Sequence, residues 1–419
     1  MESLDTWLDH ISSQHWQSVD MGLERMQVMV ERLALQRPAN RVITVAGTNG
    51  KGSTCVACEA FLLHQGLRVG VTLSPHISRF NERMRIDGQE LDDRTICNSF
   101  AAVEDARQDL PLTYFEFSAL AALHCFKHAQ VDVAVLEIGL GGRLDAFNAI
   151  DADVAVITSI GLDHEAFLGD TRDLIGYEKA GILRPGQQVV LGRGMPDTVL
   201  ERCRALELNP EIVGTDVDCS VESDGTWHLM RGGEVIVQGI PANQCAPDNL
   251  LLGYLAVAQM WHLPPSVVRS TAPRVALRGR FEKVSRRGRS WLLDVAHNPA
   301  SAAFLCAQLQ ARGLHPRMIV CAMLRDKDHR GVYDALAASF DAPWRILDSS
   351  GARGMSATEL AAQLPASRST VATSWSEVLA EVSSATLPGD VILVFGSFNV
   401  IEQFELIDHP QISADTRPP

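Results

Sequence analysis

The chain is 419 residues long, which exceeds one ordinary hydrophobic core and favours about two or three domains. Its 46% hydrophobic and 21% charged content is ordinary for a soluble globular protein. A formal charge of −14 argues against a general nucleic-acid-binding protein, which would present a basic face. No apolar run approaches the length of a transmembrane helix, and the cysteines are scattered without paired spacing. We therefore expect a cytoplasmic protein with reduced thiols and no nucleic-acid or membrane partner.

The first predicted elements are amphipathic helices within residues 1–40, then a strand, a loop and a helix in V-I-T-V-A-G-T-N-G-K-G-S-T, Val42 to Thr54. This order forms a polyphosphate site, because glycine lets backbone N–H groups turn toward phosphates and a helix N-terminus attracts anions. Lys51 would reach the terminal phosphates, and a hydroxyl after the loop would contact magnesium. The strict pattern G-x-x-x-x-G-K-[ST] is broken, since Val45 replaces its first glycine and Gly52 its hydroxyl. A glycine-rich turn with a solvated lysine is the alternative.

Polar residues stand where further predicted strands end. Ser74 follows one strand, Glu137 ends the next, and His164 follows another. Because α/β sheets bind ligands at the carboxyl ends of their strands, these residues are candidates for one site. Phosphate-loop enzymes hold magnesium with an acid at such a strand end, so Glu137 is the first candidate metal ligand. For His164, a purely structural role is the alternative to ligand binding. The predicted strands cover residues 69–73, 131–137, 153–159 and 188–191, and the predicted helices cover 100–108, 116–128, 171–183 and 249–262.

Several other motifs in this half have structural explanations. Thr113 and Glu116 have the spacing of a capping box at a helix start. The charged loop over residues 78–87 would normally be solvated, and Lys179, inside a predicted helix, would normally be a surface charge. The run G-L-G-G-R over residues 139–143 lacks the last glycine of a dinucleotide fingerprint, so its glycines are expected to let the backbone pass close to a ligand.

The pattern changes in the second half of the chain. Residues 211–240 alternate in short stretches, which predicts a small antiparallel sheet. Residues 266–280 are predicted to be irregular and to contain a domain boundary. From residue 290 strands and helices alternate, which predicts a second, mainly parallel α/β domain of about 130 residues. Asp294 ends its first strand, where a ligand would bind.

Nearly the whole chain carries, in order, the motifs A-G-T-N-G-K-G-S-T, L-S-P-H, L-E-I-G-L-G-G-R-L-D, T-S-I-G-L-D-H, E-K-A-G-I, G-R-F, D-V-A-H-N-P and G-S-F. Together these motifs resemble the folylpolyglutamate synthase family of the Mur ligase superfamily. The resemblance implies an α/β fold. It predicts a P-loop-containing Mur ligase-type central ATPase domain over residues 1–280, which includes the pterin site, and a smaller Rossmann-like C-terminal ligase domain over residues 281–419.

The resemblance also implies ATP-dependent amide bond formation. Bifunctional members of the family add L-glutamate to 7,8-dihydropteroate, giving dihydrofolate, and add further glutamates to reduced folates. The carboxylate of the pterin substrate takes the γ-phosphoryl group of ATP, and the amine of L-glutamate attacks the acyl phosphate. A monofunctional folylpolyglutamate synthase is the nearest alternative. A regulatory P-loop nucleotide-binding protein is the alternative of another class, and its guanine-reading form would need an N-K-x-D that the chain lacks. We expect a monomer.

By resemblance, ATP and two magnesium ions are the cofactors. Ser74 and Glu137 would hold the first magnesium, and His164 would help to hold the second. Lys179, in E-K-A-G-I, matches a lysine that the family carries as a carbamate, an oxygen ligand that suits magnesium. The predicted catalytic residues are Lys51, Glu137, His164 and Lys179. The predicted ATP-binding residues are Thr48, Asn49, Gly50, Lys51, Gly52, Ser53, Asn249, Arg280 and Asp294.

The pterin site is also placed by resemblance. Phe147 departs from the Thr or Ser expected after L-D-A, and it borders this pocket, so it bears on substrate preference. His297, in D-V-A-H-N-P, has no assigned role. The predicted substrate-binding residues are Asp20, Met21, Gly22, Thr113, Tyr114, Phe115, Glu116, Leu144, Asp145 and Ala146.

Overall fold

The computed structural model describes residues 3–14, 20–351 and 353–407, which divide into two compact units. The first unit extends to residue 276, except for residues 222–225. The second unit consists of residues 222–225 and the described chain from Leu277 onward. No helix among the described residues is both long and apolar enough to cross a bilayer. Both units combine helices with largely parallel sheets, which confirms the predicted α/β class.

The first unit contains the predicted glycine loop and most of the predicted site residues. Its helices are α1 (Leu4–Ser12), α2 (Glu24–Arg32), α3 (Lys51–His64), α4 (Asp93–Arg107), α5 (Tyr114–Ala129), α6 (Glu165–Leu168), α7 (Arg172–Ala180), α8 (Asp197–Ala205), α9 (Pro247–Ala258) and α10 (Ser266–Thr271). Its strands are β1 (Arg41–Ala46), β2 (Val69–Thr72), β3 (Met84–Ile86), β4 (Gln89–Glu90), β5 (Val133–Glu137), β6 (Val154–Ile157), β7 (Gln188–Leu191), β8 (Glu211–Ile212), β9 (Val217–Val221), β10 (Trp227–Arg231) and β11 (Glu234–Ile240). Short 3₁₀ turns lie at Phe80–Arg83, Ala146–Ala149 and Ala272–Arg274.

Among the described residues, the main sheet of the first unit has eight strands in the order β4-β3-β2-β5-β1-β6-β7-β8. The strands from β2 to β8 in this order are parallel, and β3 and β4 add an antiparallel edge. The register sets Val45 of β1 beside Glu137 of β5, and Ala46 beside Ile157 of β6. Because these parallel strands end at the same edge, the polar residues that follow them gather there.

The central strands and helices form where buried apolar runs and caps coincide. Strand β1 is buried from Val42 to Ala46, as expected for a strand covered on both faces. Helix α5 begins at the predicted capping box: Thr113 Oγ1 accepts the N–H of Glu116, and the Glu116 carboxylate accepts the N–H of Thr113 at 2.8 Å. Thr171 caps α7 by accepting the N–H of Leu174. The cap predictions are therefore confirmed.

Two short elements differ from the prediction. Residues 266–280 are not wholly irregular, because α10 and a 3₁₀ turn occupy the first half of that segment. Residues 211–212 form β8, which joins the main sheet in parallel, while β9, β10 and β11 form the predicted antiparallel sheet. A helix or strand of so few residues is too short to show a period in the sequence, so tertiary pairing decides it.

The second unit is a smaller α/β domain. Its strands, in the order β12-β13-β17-β14-β15-β16, form a sheet that is six-stranded within the described residues and parallel except for β12. The predicted mainly parallel sheet is confirmed, although the edge strands β12 and β16 were not predicted. Its elements are β12 (Glu282–Arg286), β13 (Arg289–Asp294), α11 (Pro299–Ala311), β14 (Pro316–Cys321), α12 (His329–Ala337), β15 (Trp344–Ile346), α13 (Ala357–Ala362), β16 (Ser369–Val371), α14 (Trp375–Ala385), β17 (Val391–Phe395) and α15 (Phe398–Leu406).

Candidate active site

The glycine loop joins the end of β1 to the start of α3. Gly50 caps α3 with φ of +89°, a left-handed conformation that favours glycine. A Cβ on Gly50 would overlap the side-chain amide of Asn249, which comes from α9. The structure therefore brings Asn249 directly against the loop, as its predicted role in ATP binding requires. The first N–H groups of α3 have no intrahelical acceptor, so this end of the helix suits an anion.

The loop is held in place by the segment that follows β6. Ser159 accepts two hydrogen bonds from backbone N–H groups of the loop. The N–H of Thr48 donates to the Ser159 carbonyl at 2.8 Å, and the N–H of Asn49 donates to the Ser159 hydroxyl at 3.0 Å. Thr158 Oγ1 donates to the carbonyl of Asn49 at 2.7 Å. These bonds give the T-S-I-G motif a role in fixing the loop. Pattern reasoning from the residues alone did not find this role, because the partners are more than a hundred residues apart in the chain.

Lys51 lies across the loop. Its Nζ donates to the carbonyl of Gly47 at 3.0 Å and to that of Thr48 at 3.3 Å. The next residues, Gly52 and Ser53, are buried in the first turn of α3. These two bonds hold the Lys51 ammonium beside the loop whose backbone N–H groups would face phosphates.

Glu137 and Ser74 meet at the ends of neighbouring strands. Glu137 is buried, and its Oε2 accepts the backbone N–H of Ser74 at 2.7 Å. The backbone N–H of Glu137 donates to Thr72 Oγ1 at 2.9 Å, which fixes the strand end. Glu137 and Ser74 line one pocket with Phe115 and Phe147. Two of the four predicted metal ligands therefore share this pocket with Phe115 of the predicted pterin site, whereas His164 and Lys179 are not among the residues that line it.

Lys179 is buried and does not lie on the surface. Only 4% of Lys179 is exposed, and burial lowers the pKa of its amine to about 7, with a further decrease caused by the charge of Lys51. Asp163 and Asp145 oppose this decrease. The structure thus brings the lysine of E-K-A-G-I into electrostatic contact with the lysine of the glycine loop. The surface-charge interpretation of Lys179 is wrong.

His164 is the N-cap residue immediately before the short helix α6. It adopts a left-handed conformation with φ of +54°, and its backbone N–H donates to Asp163 Oδ1 at 2.9 Å. Within residues 3–14, 20–351 and 353–407, no group of three or more His, Cys, Asp or Glu side chains forms a metal-binding cluster. A metal site that uses Glu137 and His164 would therefore need other oxygen ligands.

Arg25 joins the N-terminal loop to the start of α5. Its Nη1 donates to Asp20 Oδ2 at 2.8 Å, and its Nε donates to both oxygens of Glu116, at 3.0 and 3.1 Å. Nη2 also donates to the backbone carbonyl of Asp20. Two of the predicted substrate segments are therefore held together by a residue absent from the predicted site. The separation of 91 residues between Arg25 and Glu116 explains why no local pattern revealed it.

Replacing Arg25 with alanine is expected to free the loop that begins at Asp20. Because buried Glu116 would lose its cationic partner, we expect a loss of about 2 kcal/mol in the free energy of unfolding. If the loop belongs to the predicted pterin site, the KM for the expected pterin substrate should rise about tenfold, while that for the expected ATP stays within about twofold. Urea unfolding and steady-state kinetics measure both effects, with the exposed Arg94→Ala as the control. An Arg25→Ala enzyme with an unchanged pterin KM would contradict this role.

The segment 139–147 wraps around the buried carboxylate of Asp145. Asp145 Oδ2 accepts the N–H groups of Gly139 and Leu140, at 2.9 and 3.0 Å, and Oδ1 accepts that of Phe147. Burial raises the pKa of Asp145 to about 6, and these bonds oppose the increase. Asp145 was predicted to bind substrate, but its side chain holds the shape of this segment. At the end of the segment, Phe147 packs edge-on against Phe115, with ring centroids 5.7 Å apart.

The remaining predicted pterin residues lie around the same segment. A Cβ on Gly141 would come within 3.5 Å of Met21, so the loop of Asp20, Met21 and Gly22 approaches residues 139–147. Gly142 lets the backbone pass close to α7, since a Cβ there would lie 3.0 Å from the carbonyl of Glu178. The glycines were predicted to make room for a ligand, and at Gly142 the neighbour is protein. Leu144 and Ala146 flank Asp145, and Tyr114 opens α5.

Comparison with known proteins decides the family. The chain is 40% identical to the Dihydrofolate synthase/folylpolyglutamate synthase of Haemophilus influenzae, over 96% of each chain. The family model "Mur ligase, glutamate ligase domain" matches residues 279–398. The chain belongs to the dihydrofolate synthase/folylpolyglutamate synthase family. It is a ligase with the two-domain Mur ligase fold, as the sequence motifs predicted.

Solved structures of the dihydrofolate synthase/folylpolyglutamate synthase family have the same fold. E. coli FolC in complex with DHPP and ADP superposes with a TM-score of 0.90 at 37% identity, covering 98% of this chain and 99% of that one. A bifunctional folylpolyglutamate synthase/dihydrofolate synthase with Mn, AMPPNP and L-glutamate bound superposes with a TM-score of 0.88 at 38% identity, covering 98% of each chain. The ligands in these descriptions are those of the relatives.

The second unit of this family member carries the remaining predicted ATP residues. Asp294 ends β13, and its carboxylate accepts the N–H groups of Phe281, at 2.9 Å, and Ala296, at 2.8 Å. Burial raises the pKa of Asp294, and the charge of Arg280 opposes the increase, so these two side chains interact. His297 Nδ1 donates to the carbonyl of Val295 at 2.8 Å, which gives it a local structural bond.

Proposed function

We propose that this chain is an ATP-dependent amide ligase that adds L-glutamate to 7,8-dihydropteroate and further glutamates to reduced folates. The observation that carries the proposal is the shared pocket of Ser74, Glu137, Phe115 and Phe147. It sets oxygen ligands for a cation beside aromatic side chains that suit a pterin. Relatives named for both activities, at 38–40% identity, support the bifunctional interpretation.

The chemistry proceeds at the carboxylate of the pterin substrate. One carboxylate oxygen takes the γ-phosphoryl group of ATP, which gives an acyl phosphate and ADP. The amine of L-glutamate then attacks the carbonyl carbon, loses a proton, and expels phosphate that keeps the carboxylate oxygen. Phosphoryl transfer depends on positioning and charge neutralisation, which the glycine loop and Lys51 can supply.

The geometry of the glycine loop fits a nucleotide. The left-handed Gly50 leaves no room for a Cβ between the loop and Asn249, and N–H groups at the start of α3 can face phosphates. We assign the phosphates of ATP to Gly50, Lys51, Gly52 and Ser53, with Thr48, Asn49 and Asn249 as further ATP contacts. In the second unit, Arg280 and Asp294 stay predicted ATP-binding residues. A complex of a relative with ADP supports a nucleotide at this kind of site.

The donor set fits a hard divalent cation such as magnesium. A buried carboxylate, Glu137, and a hydroxyl, Ser74, are oxygen ligands at neighbouring strand ends. We place a second magnesium at His164 and a carbamate on Lys179. Magnesium bound there would neutralise charge on the transferring phosphoryl group. A relative with Mn and AMPPNP bound supports the use of a divalent metal, while the two-site arrangement is our proposal.

A carbamate on Lys179 is consistent with its environment. Only a neutral amine reacts with CO2, and burial that holds the pKa of Lys179 near 7 leaves a large neutral fraction at physiological pH. The neutral amine forms an Nζ–C bond with CO2 and releases one proton, so a neutral buried group near the positive charge of Lys51 becomes an anion. The product would supply the oxygen ligand that His164 and Glu137 lack. A metal-loaded crystal structure with a plain ammonium at Lys179 would refute this assignment.

The proposed function is tested by phosphate release from ATP. We expect release with L-glutamate and dihydropteroate, and also with L-glutamate and a reduced folate, with no release when L-glutamate is omitted. Activity with the reduced folate alone would leave a monofunctional folylpolyglutamate synthase. Release that ignores both pterins would contradict the ligase and favour a regulatory nucleotide-binding protein. A monomeric state and a cytoplasmic location stay predictions from the sequence.

A further inference from the structure

Arg83 supplies a positive charge to the pocket that contains Ser74 and Glu137. Eleven described residues line this pocket, and Arg83 is the only Lys, Arg or His among them. The other walls include the aromatic rings of Phe115 and Phe147. The sequence indicated only a charged loop of the kind that is usually solvated, so the position of Arg83 in a pocket is a finding of the structure.

The guanidinium of Arg83 is fixed by neutral groups. Its Cζ lies 5.8 Å from the ring centroid of Phe80 and 5.6 Å from that of Tyr114, within the range of cation–π contacts. Its Nε donates to His76 Nδ1 at 2.7 Å. A nitrogen that accepts this bond carries no proton, so His76 orients the guanidinium without cancelling its charge.

Arg83 has no carboxylate partner among the described residues of the chain. Its neighbour on the same hairpin, Arg85, pairs with the buried Glu59 at 3.0 Å, which is the usual arrangement for a partly buried arginine. An arginine held rigidly, with Nε occupied, can offer its terminal N–H groups to a carboxylate ligand.

We propose that Arg83 binds the carboxylate of the pterin substrate, the group that is converted into an amide, and positions it beside Ser74 and Glu137. The inference rests on the proposed function and adds to it a residue that selects the acid form of the substrate. Phe115 and Phe147 would contact the rings of the same molecule. A carboxylate of L-glutamate has the same chemistry, and the test separates these two sources.

Kinetics of Arg83→Gln and Arg83→Lys provide the first test. Loss of a charge-assisted contact should raise the KM for dihydropteroate about tenfold or more in Arg83→Gln and less in Arg83→Lys, which keeps the charge. The KM values for L-glutamate and ATP should stay within about twofold of wild type. A rise confined to L-glutamate would assign the carboxylate to the amino acid and overturn the proposal. A rise confined to ATP would also overturn it.

Equilibrium binding provides the second test and needs no turnover. Wild-type protein should bind dihydropteroate about tenfold more tightly than an analogue whose carboxylate is a carboxamide, and Arg83→Gln should lose this preference. Equal weakening of both ligands would show a merely structural role and overturn the proposal. Arg94→Lys, an exposed arginine of α4, is the matched control and should keep the preference.

The wild-type enzyme separates failure of this inference from failure of the proposed function. If wild type releases phosphate with dihydropteroate and L-glutamate while the Arg83 variants behave like wild type, only the role of Arg83 is wrong. If wild type shows no release that depends on these substrates, the proposed function itself is wrong.

Discussion

Lys51→Ala is expected to lower kcat about a thousandfold while the protein stays folded. Lys51 Nζ lies over the carbonyls of the glycine loop at the start of α3, where phosphates are expected to bind. Its charge is needed most when negative charge shifts during phosphoryl transfer, so kcat should fall more than the KM for ATP rises. Phosphate release at saturating dihydropteroate and L-glutamate measures the effect.

Thermal unfolding and a second lysine variant complete the Lys51 experiment. The melting temperature of Lys51→Ala should remain close to that of wild type, since Lys51 is partly exposed and its Nζ donates to carbonyls of the loop. Lys283→Ala removes an exposed lysine from the edge strand β12 and should keep full activity. A Lys51→Ala enzyme that retains more than about a tenth of wild-type kcat would contradict the phosphate role of the loop.

Lys179→Ala should abolish most activity, by roughly a hundredfold or more, because the proposed metal ligand is lost. If the ligand is a carbamate, a small carboxylic acid can occupy the cavity left by the lysine side chain and supply the missing oxygen. We therefore expect acetate or propionate to restore part of the activity of Lys179→Ala, with saturation at millimolar concentrations. Activity of the wild type should also fall in buffers depleted of CO2 and recover when bicarbonate is added.

Specificity of the rescue decides whether the carbamate is present. The same acids should not restore Lys51→Ala, whose missing group is a cation. Rescue of Lys179→Ala by ethylamine and not by acetate would show that the lysine acts as an amine. Such a result would remove Lys179 from the metal site and leave Glu137 and His164 to be completed by another ligand.

The local parts of the candidate site were predictable from the sequence. Strand β1, the glycine loop and α3 follow one another in a pattern with a physical reason, and Glu137 ends an apolar strand that pairs with β1. The parallel sheet then brings the strand ends together, so Ser74 and Glu137 meet as expected. The capping box of α5 is likewise a local signal that survives folding.

The parts that depend on long-range packing were not predictable from patterns in the sequence. Lys179 is buried because of the way α7 packs against its surroundings. Only the resemblance to a family singled out this lysine, since the periodicity of the sequence indicated a surface charge. Arg25 meets Glu116 across 91 residues, and no spacing rule connects them. The sequence indicates only a solvated charge at Arg83, whereas in the folded chain its guanidinium lies against the neighbouring rings of Phe80 and Tyr114.

Isotope transfer tests the central claim most directly, because it follows the oxygen of the activated carboxylate. Dihydropteroate labelled with 18O in its carboxylate is incubated with the enzyme, ATP and L-glutamate, and the released phosphate is analysed by mass spectrometry. Ligation through an acyl phosphate predicts a single labelled oxygen in the phosphate for each amide formed. Phosphate without label would mean that water attacks ATP directly, and it would contradict the account of this chain as a ligase that activates its pterin substrate.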